Sequence, residues 1–224
     1  MVSSLLAALG KESGVSFDEK LFTWINNLGG HVDSIDRIVS GLANDYFMLV
    51  VMCLVLVGMW FGVRNPADRA RNQIAVLKAM ASLGTASGFA SIPIITIVGK
   101  ADYEGTLLYS IFNRPRPFEV FGPSVVHNFY FPHDPSFPSN MAAAVFGLAL
   151  AVWFMNRKAG TWLLLMALLV CVSRIYVGIH YPSDILGGFA IAVVAVGVIY
   201  FMFWFFKILL RLLQWIMKGL YVMG

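Results

Sequence analysis

The run from Ile185 to Phe206 contains no charged side chain. Coiled at 1.5 Å per residue, it matches the roughly 30 Å hydrocarbon core of a bilayer. Inside lipid such a segment must satisfy its own backbone hydrogen bonds, which restricts a chain built around it to helices. Four more runs are predominantly apolar, with Arg174 the one charge among them: Tyr46 to Val63, Ala79 to Gly99, Asn140 to Met155 and Thr161 to Val177. Over 224 residues, 59% of side chains are hydrophobic and 12% charged, about half the charged share of a soluble domain. Mean hydropathy is +0.76. The expectation is an all-α polytopic membrane bundle of about five spanning helices, read as one domain over 1–224. Disorder, a disulfide-stapled secreted fold and nucleic acid as a partner are excluded. Cys53 and Cys171 lie within apolar runs and read as packing residues.

Residues 1–45 read as an interfacial region. Met1 to Gly10 lacks the basic start and apolar core of a signal peptide. Phe17 to Leu28 sets Phe17, Leu21, Trp24, Ile25 and Leu28 on one helical face, which suits a helix lying on the membrane surface. Lys207 to Tyr221 reads either as a similar surface helix or as an extension of the last span. Arg157 and Lys158 lie in a short link of five residues, 156–160, between the third and fourth spans. With five spans, one side of the membrane carries nine of the 16 basic residues and a single acid, Asp68. That side is expected to be cytoplasmic, with the N-terminus outside, the C-terminus inside and the loop 100–139 on the outer face of a bacterial inner membrane.

The outer loop holds Arg114-Pro115-Arg116-Pro117, then His127, His133, Asp134 and Pro138-Ser139-Asn140. At the same boundary, after the fourth span, come Ser173, Arg174, His180 and Asp184. An arginine beside an apolar span is costly and marks function. Guanidinium groups form charged forks suited to phosphate, and a helix beginning near Ser139 points free N–H groups toward the same anion. Neutral His180 can attack phosphorus, with Asp184 fixing its tautomer. Arginines supply the positive charge, so no metal and no cofactor is expected. Asp102 with Glu104 and lone Glu119 read as solvated loop acids, and His31 as structural.

These residues resemble the type 2 phosphatidic acid phosphatases, the PAP2 family of membrane lipid phosphatases. That family's pattern is Lys, six residues, Arg-Pro; then Pro-Ser-Gly-His; then Ser-Arg, five residues, His, three residues, Asp. The third part matches in full at Ser173, Arg174, His180 and Asp184, while the first matches at Arg116-Pro117 and the second at Pro138-Ser139. Tyr109 stands where the family has lysine, and Met141 where it has the histidine that protonates the departing oxygen. The likeness implies a six-helix core whose first helix here does not span. It implies catalytic roles for His180, Asp184, Arg174 and Ser139. It further implies a phosphate site of Arg116, Arg174, Ser139, Asn140, Tyr109 and Arg114. His133 is a candidate replacement acid; otherwise it is a loop histidine, and Tyr109 otherwise an interfacial aromatic.

A monophosphate ester must expel an alkoxide, which depends on general-acid help of about 10² to 10⁴ in rate. A diphosphate expels a phosphate monoester, a stable anion. With methionine at 141 the implied substrate is a polyprenyl diphosphate, and Phe-Pro-Ser-Asn also looks like the subset acting on undecaprenyl diphosphate. The open alternatives are phosphatidic acid, phosphatidylglycerol phosphate or lipid A as substrate, a lipid phosphotransferase, and a weakened relative that binds lipid phosphates without turnover. The implied partners are a lipid phosphate and the bilayer.

Overall fold

The computed structural model describes residues 16–223. Its helices are α1 (Phe17–Asn26), α2 (Asp33–Ala43), α3 (Phe47–Phe61), α4 (Pro66–Pro93), α5 (Leu107–Phe112), α6 (Pro117–Phe121), α7 (Asn140–Met155), α8 (Arg157–Tyr176) and α9 (Pro182–Met223). Among the described residues there is no strand, and the all-α expectation holds.

Helix α7 is the axis of the bundle. Its inner residues are small, with Ala142, Ala143, Ala144, Ala149 and Ala151 all buried, and α4, α8 and α9 pack around it. Small side chains let helix backbones approach closely in a membrane, where apolar burial alone does not favour helix over lipid. At Gly147 a Cβ would lie 3.1 Å from both Ala86 Cβ and the Ser82 carbonyl of α4. With 16 residues, α7 is shorter than a lipid-facing span requires, but protein rather than lipid surrounds it. Among the described residues three helices are long and apolar enough to cross a membrane: α4 with its continuation, α8 and α9. The pair α2 and α3, bent by 57°, makes a fourth candidate.

The boundaries differ from the sequence reading for local reasons. Helix α2 carries no long apolar run and was not expected. It ends where the Asn44 side chain accepts from the N–H groups of Tyr46 (3.0 Å) and Phe47 (3.2 Å), which starts α3 afresh. The segment 64–78, expected as a loop, is mostly the opening turns of α4. Asn65 caps it by accepting from Ala67 N at 3.0 Å, and Pro66 suits the first helical position. At the far end Pro93 offers no N–H, and the helix opens into a π turn, Ile94–Val98. The link between α7 and α8 shrinks from five residues to Asn156 alone, whose Oδ1 caps α8 through Ala159 N at 3.2 Å. Helix α9 runs unbroken to Met223, so 207–221 extends the last span. The loop 100–139 contains α5 and α6.

Helix α1 begins with a reciprocal cap between Ser16 and Glu19. Its expected apolar stripe divides. Phe22 and Asn26 are buried with Ile25 beside them, whereas Phe17, Trp24 and Leu28 stay exposed. The inner face docks on the bundle where the sequence reading placed only membrane. The expectation for Met1 to Gly10 lies outside the described residues.

Candidate active site

Five residues separate α8 from α9, and their course is dictated by Gly178. Its φ of +85° suits glycine, and a Cβ there would fall 2.1 Å from the Val125 carbonyl oxygen. The buried Asn26 of α1 clamps this turn, donating through Nδ2 to the carbonyls of Val125 and Tyr176, both at 2.8 Å. Ile179 N donates back to the Arg174 carbonyl at 3.2 Å. The turn thereby carries His180 into the bundle rather than toward water.

His180 is buried. Its Nδ1 lies 3.0 Å from the Ser136 carbonyl oxygen and 3.6 Å from Asp184 Oδ2. A carbonyl only accepts, so Nδ1 carries the proton and Nε2 keeps its lone pair. That nitrogen faces Arg116 Nη1 at 3.4 Å. Burial above all, with the charges of Arg174 and Arg116 added and the Asp184 carboxylate opposing, brings the imidazole down to about 4. At neutral pH it is uncharged, with the Nε2 lone pair available.

Asp184 sits in the first turn of α9 with no exposed surface. Its carboxylate accepts from Tyr181 N at 2.7 Å and from Ser136 Oγ, and from Arg114 Nη1 at 2.9 Å. Arg114 also donates to Ser183 Oγ at 2.6 Å and Asp18 Oδ2 at 2.7 Å, and lies over the Tyr181 ring. These partners hold the Arg114 guanidinium charged: burial opposes, and the Asp184 and Asp18 carboxylates prevail. Asp18 joins α1 to α9 by accepting from Ser183 N at 2.9 Å.

On the Nε2 side of His180 opens a cavity of about 550 Å³ whose walls include Arg116, Arg174, Asn140, Met141, Asp45, Tyr130 and Asp134. Arg116 donates to the Ile179 carbonyl at 2.9 Å and to Asp134, through Nη2 to Oδ1 at 2.9 Å and Nε to the carbonyl at 2.7 Å. Arg174 Nη1 donates to Asp45 Oδ1 at 2.6 Å and to the Ala43 carbonyl at 3.0 Å. Its buried Nε has no partner among the described residues and can donate to a ligand. The Asn140 side chain is fixed between Ser87 and Ser91 of α4, at 2.6 and 2.8 Å, and with Met141 it places the start of α7 on the cavity wall. A helix start next to two guanidinium groups is a receptor for an anion.

The structure thus brings together Arg116, Arg174, Asn140 and His180, backed by Asp184. Ser139 lies just behind, buried, capping α7 through Ala142 N at 3.4 Å and donating its own N–H to the Asp184 carbonyl at 3.1 Å. Besides Ser139, three expected phosphate or proton-transfer residues are not among those lining the cavity. Arg114 is engaged on the far side of Asp184, Tyr109 sits on α5 half-buried, and His133 is exposed. Sequence reading missed Asp45, Tyr130 and Ser136. Asp45 carried a readable sign, an acid immediately before an apolar span, of the same kind that singled out Arg174.

A family model described as the PAP2 superfamily matches residues 75–208. The chain belongs to the PAP2 superfamily. It is an integral-membrane phosphatase of that family, with lipid phosphates as its substrate class. Undecaprenyl-diphosphatase BcrC of Bacillus subtilis (strain 168) is 32% identical over 187 residues, 82% of each chain. The bacitracin transport permease protein BcrC of Bacillus licheniformis is 27% identical over 82% of this chain and 77% of its own. Among solved structures, Aquifex aeolicus LpxE superposes with a TM-score of 0.53 at 21% identity, over 85% of this chain and 97% of that one. That likeness is one of PAP2 fold.

Proposed function

We propose that this PAP2 phosphatase hydrolyses undecaprenyl diphosphate to the monophosphate through a phosphohistidine at His180, on the non-cytoplasmic face. The observation that carries the reading is the orientation of His180: Nδ1 is anchored on Ser136 and Asp184 while Nε2 is presented to a cavity walled by two arginines. Arg116, Arg174 and the Asn140 N–H at the start of α7 would hold the terminal phosphate, with Ser139 keeping that helix start in place. Nε2 attacks phosphorus, the lipid monophosphate leaves, and water then cleaves the P–N bond. Asp184 stabilises the positive imidazole formed on the way. A diphosphate expels a stable anion that needs less general-acid help than an alkoxide, and the BcrC relative of Bacillus subtilis is named for a diphosphatase activity. The positive-inside distribution supports the orientation, since Arg157, Lys158, Lys207 and Arg211 lie at the bundle end away from the site.

The test is phosphate release from undecaprenyl diphosphate and from phosphatidic acid, in detergent with a chelator present, for the protein and His180→Ala. Release from the diphosphate at least tenfold faster than from phosphatidic acid, abolished in the variant, is the expected result. Equal release from both would overturn the leaving-group argument, and release surviving His180→Ala would overturn the nucleophile.

A further inference from the structure

A carboxylate inside a phosphate cavity needs a reason, because its charge repels the substrate. Asp45 is such a group. It closes the break between α2 and α3, its side chain is two-thirds buried, and it holds Arg174 Nη1 at 2.6 Å. The Tyr130 hydroxyl donates to its other oxygen. Around it stand Arg174 from α8, Tyr130, Arg116 and Asp134 from the outer loop, and His180 from the α8–α9 turn, with Met141 of α7 and Tyr46, just before α3, also on the wall. The two arginines are thus balanced by two carboxylates while the cavity holds no anion. An arriving phosphate takes Arg174 as its own partner, so Asp45 loses its counter-charge and gains a negative neighbour. Both changes favour the protonated acid.

We infer that Asp45 binds a proton when a phosphate group enters the cavity and donates it to the departing oxygen, a task the Met141 thioether cannot perform. The inference rests on the reading of His180 as nucleophile. In the first step the Nε2–P bond forms and the P–O bond to the lipid breaks; the leaving oxygen takes the Asp45 proton, and Asp45 becomes a carboxylate. In the second, a water oxygen bonds to phosphorus as the P–N bond breaks. The water proton passes to Asp45, which restores the acid, and His180 returns neutral. Asp134 is the other carboxylate on the wall, but its side chain is 62% exposed, where water screens the incoming charge. It is the natural control.

Two measurements on the purified, detergent-solubilised protein test this. Inorganic phosphate is titrated calorimetrically in buffers of different ionisation heat. The unmodified protein and Asp134→Asn are expected to take up about one proton more than Asp45→Asn. This arm needs no turnover, and equal uptake overturns the proposal. In turnover of undecaprenyl diphosphate, Asp45→Asn is expected to lower kcat about 100-fold, the lower end of the range for general acids, with KM unchanged or reduced. Asp45→Glu is expected to recover part of kcat. The basic limb of the kcat profile should vanish in Asp45→Asn. A raised KM with kcat and its pH profile intact would make Asp45 a partner of Arg174 only, and overturn the role. Failure of the His180 reading shows separately, as release that persists in His180→Ala.

Discussion

The attack proposed for His180 needs a neutral imidazole, and burial makes that form dominant: the fraction of neutral imidazole rises with pH through a value of about 4 instead of the ordinary 6.5. The acid limb of kcat/KM is therefore expected well below pH 6.5, whereas an exposed histidine would lose half its activity there. Between those two values the unfolded chain binds the proton that the folded one refuses, so stability present above pH 6.5 is lost as pH falls through the window. The midpoint of thermal unfolding in detergent should drop between pH 7 and pH 5, less steeply in His180→Ala. Arg114 gives a second prediction at this scale. Its bonds run to Asp184, Asp18 and Ser183 rather than to the cavity, so Arg114→Ala should lower kcat roughly 10- to 100-fold, as losing an outer-shell partner does, with KM nearly unchanged. Arg116→Ala should raise KM as well. Steady-state kinetics separate the two.

Among the elements, the α8–α9 turn is where one added methyl group should do most harm. In Gly178→Ala the left-handed backbone alone costs about 1–2 kcal/mol, and the new Cβ would meet the Val125 carbonyl at 2.1 Å. Destabilisation of about 2 kcal/mol or more is expected, seen as an earlier denaturation midpoint, with activity lost at temperatures where the bundle is still folded. The turn also shows what could be read in advance. Ser173, Arg174, His180 and Asp184 were legible because chemistry fixes their spacing along the chain. The partners that hold them, Asn26, Asp45, Ser136 and Asp18, come from distant segments, and no local pattern in one sequence announces a contact across a hundred residues. Helix α2 went unseen for a related reason. Its inner residues, Asp36, Val39 and Ala43, gain meaning only once Tyr176 of α8 is there to meet them.

For the whole molecule, five apolar runs sufficed to foresee a helical bundle, since lipid leaves little choice of backbone. The ends of those helices were harder, because caps at Asn65 and Asn156 turn expected loops into helix. The proposed orientation has a direct check. In a background without Cys53 and Cys171, a cysteine at Lys158 is expected to react with a membrane-impermeant thiol reagent only after the cells are permeabilised, and one at Glu104 in intact cells. The reverse pattern would invert the topology. Finally, Asp18 binds Ser183 across 165 positions of chain. During synthesis the first helix must wait at the membrane surface while four further helices of the bundle are inserted, on the order of 10–30 s at ordinary elongation rates. Until α9 arrives, Arg114 and Asp184 have no common anchor. A truncated or stalled chain is therefore inert, and lipid phosphates are handled only by molecules whose biogenesis is finished.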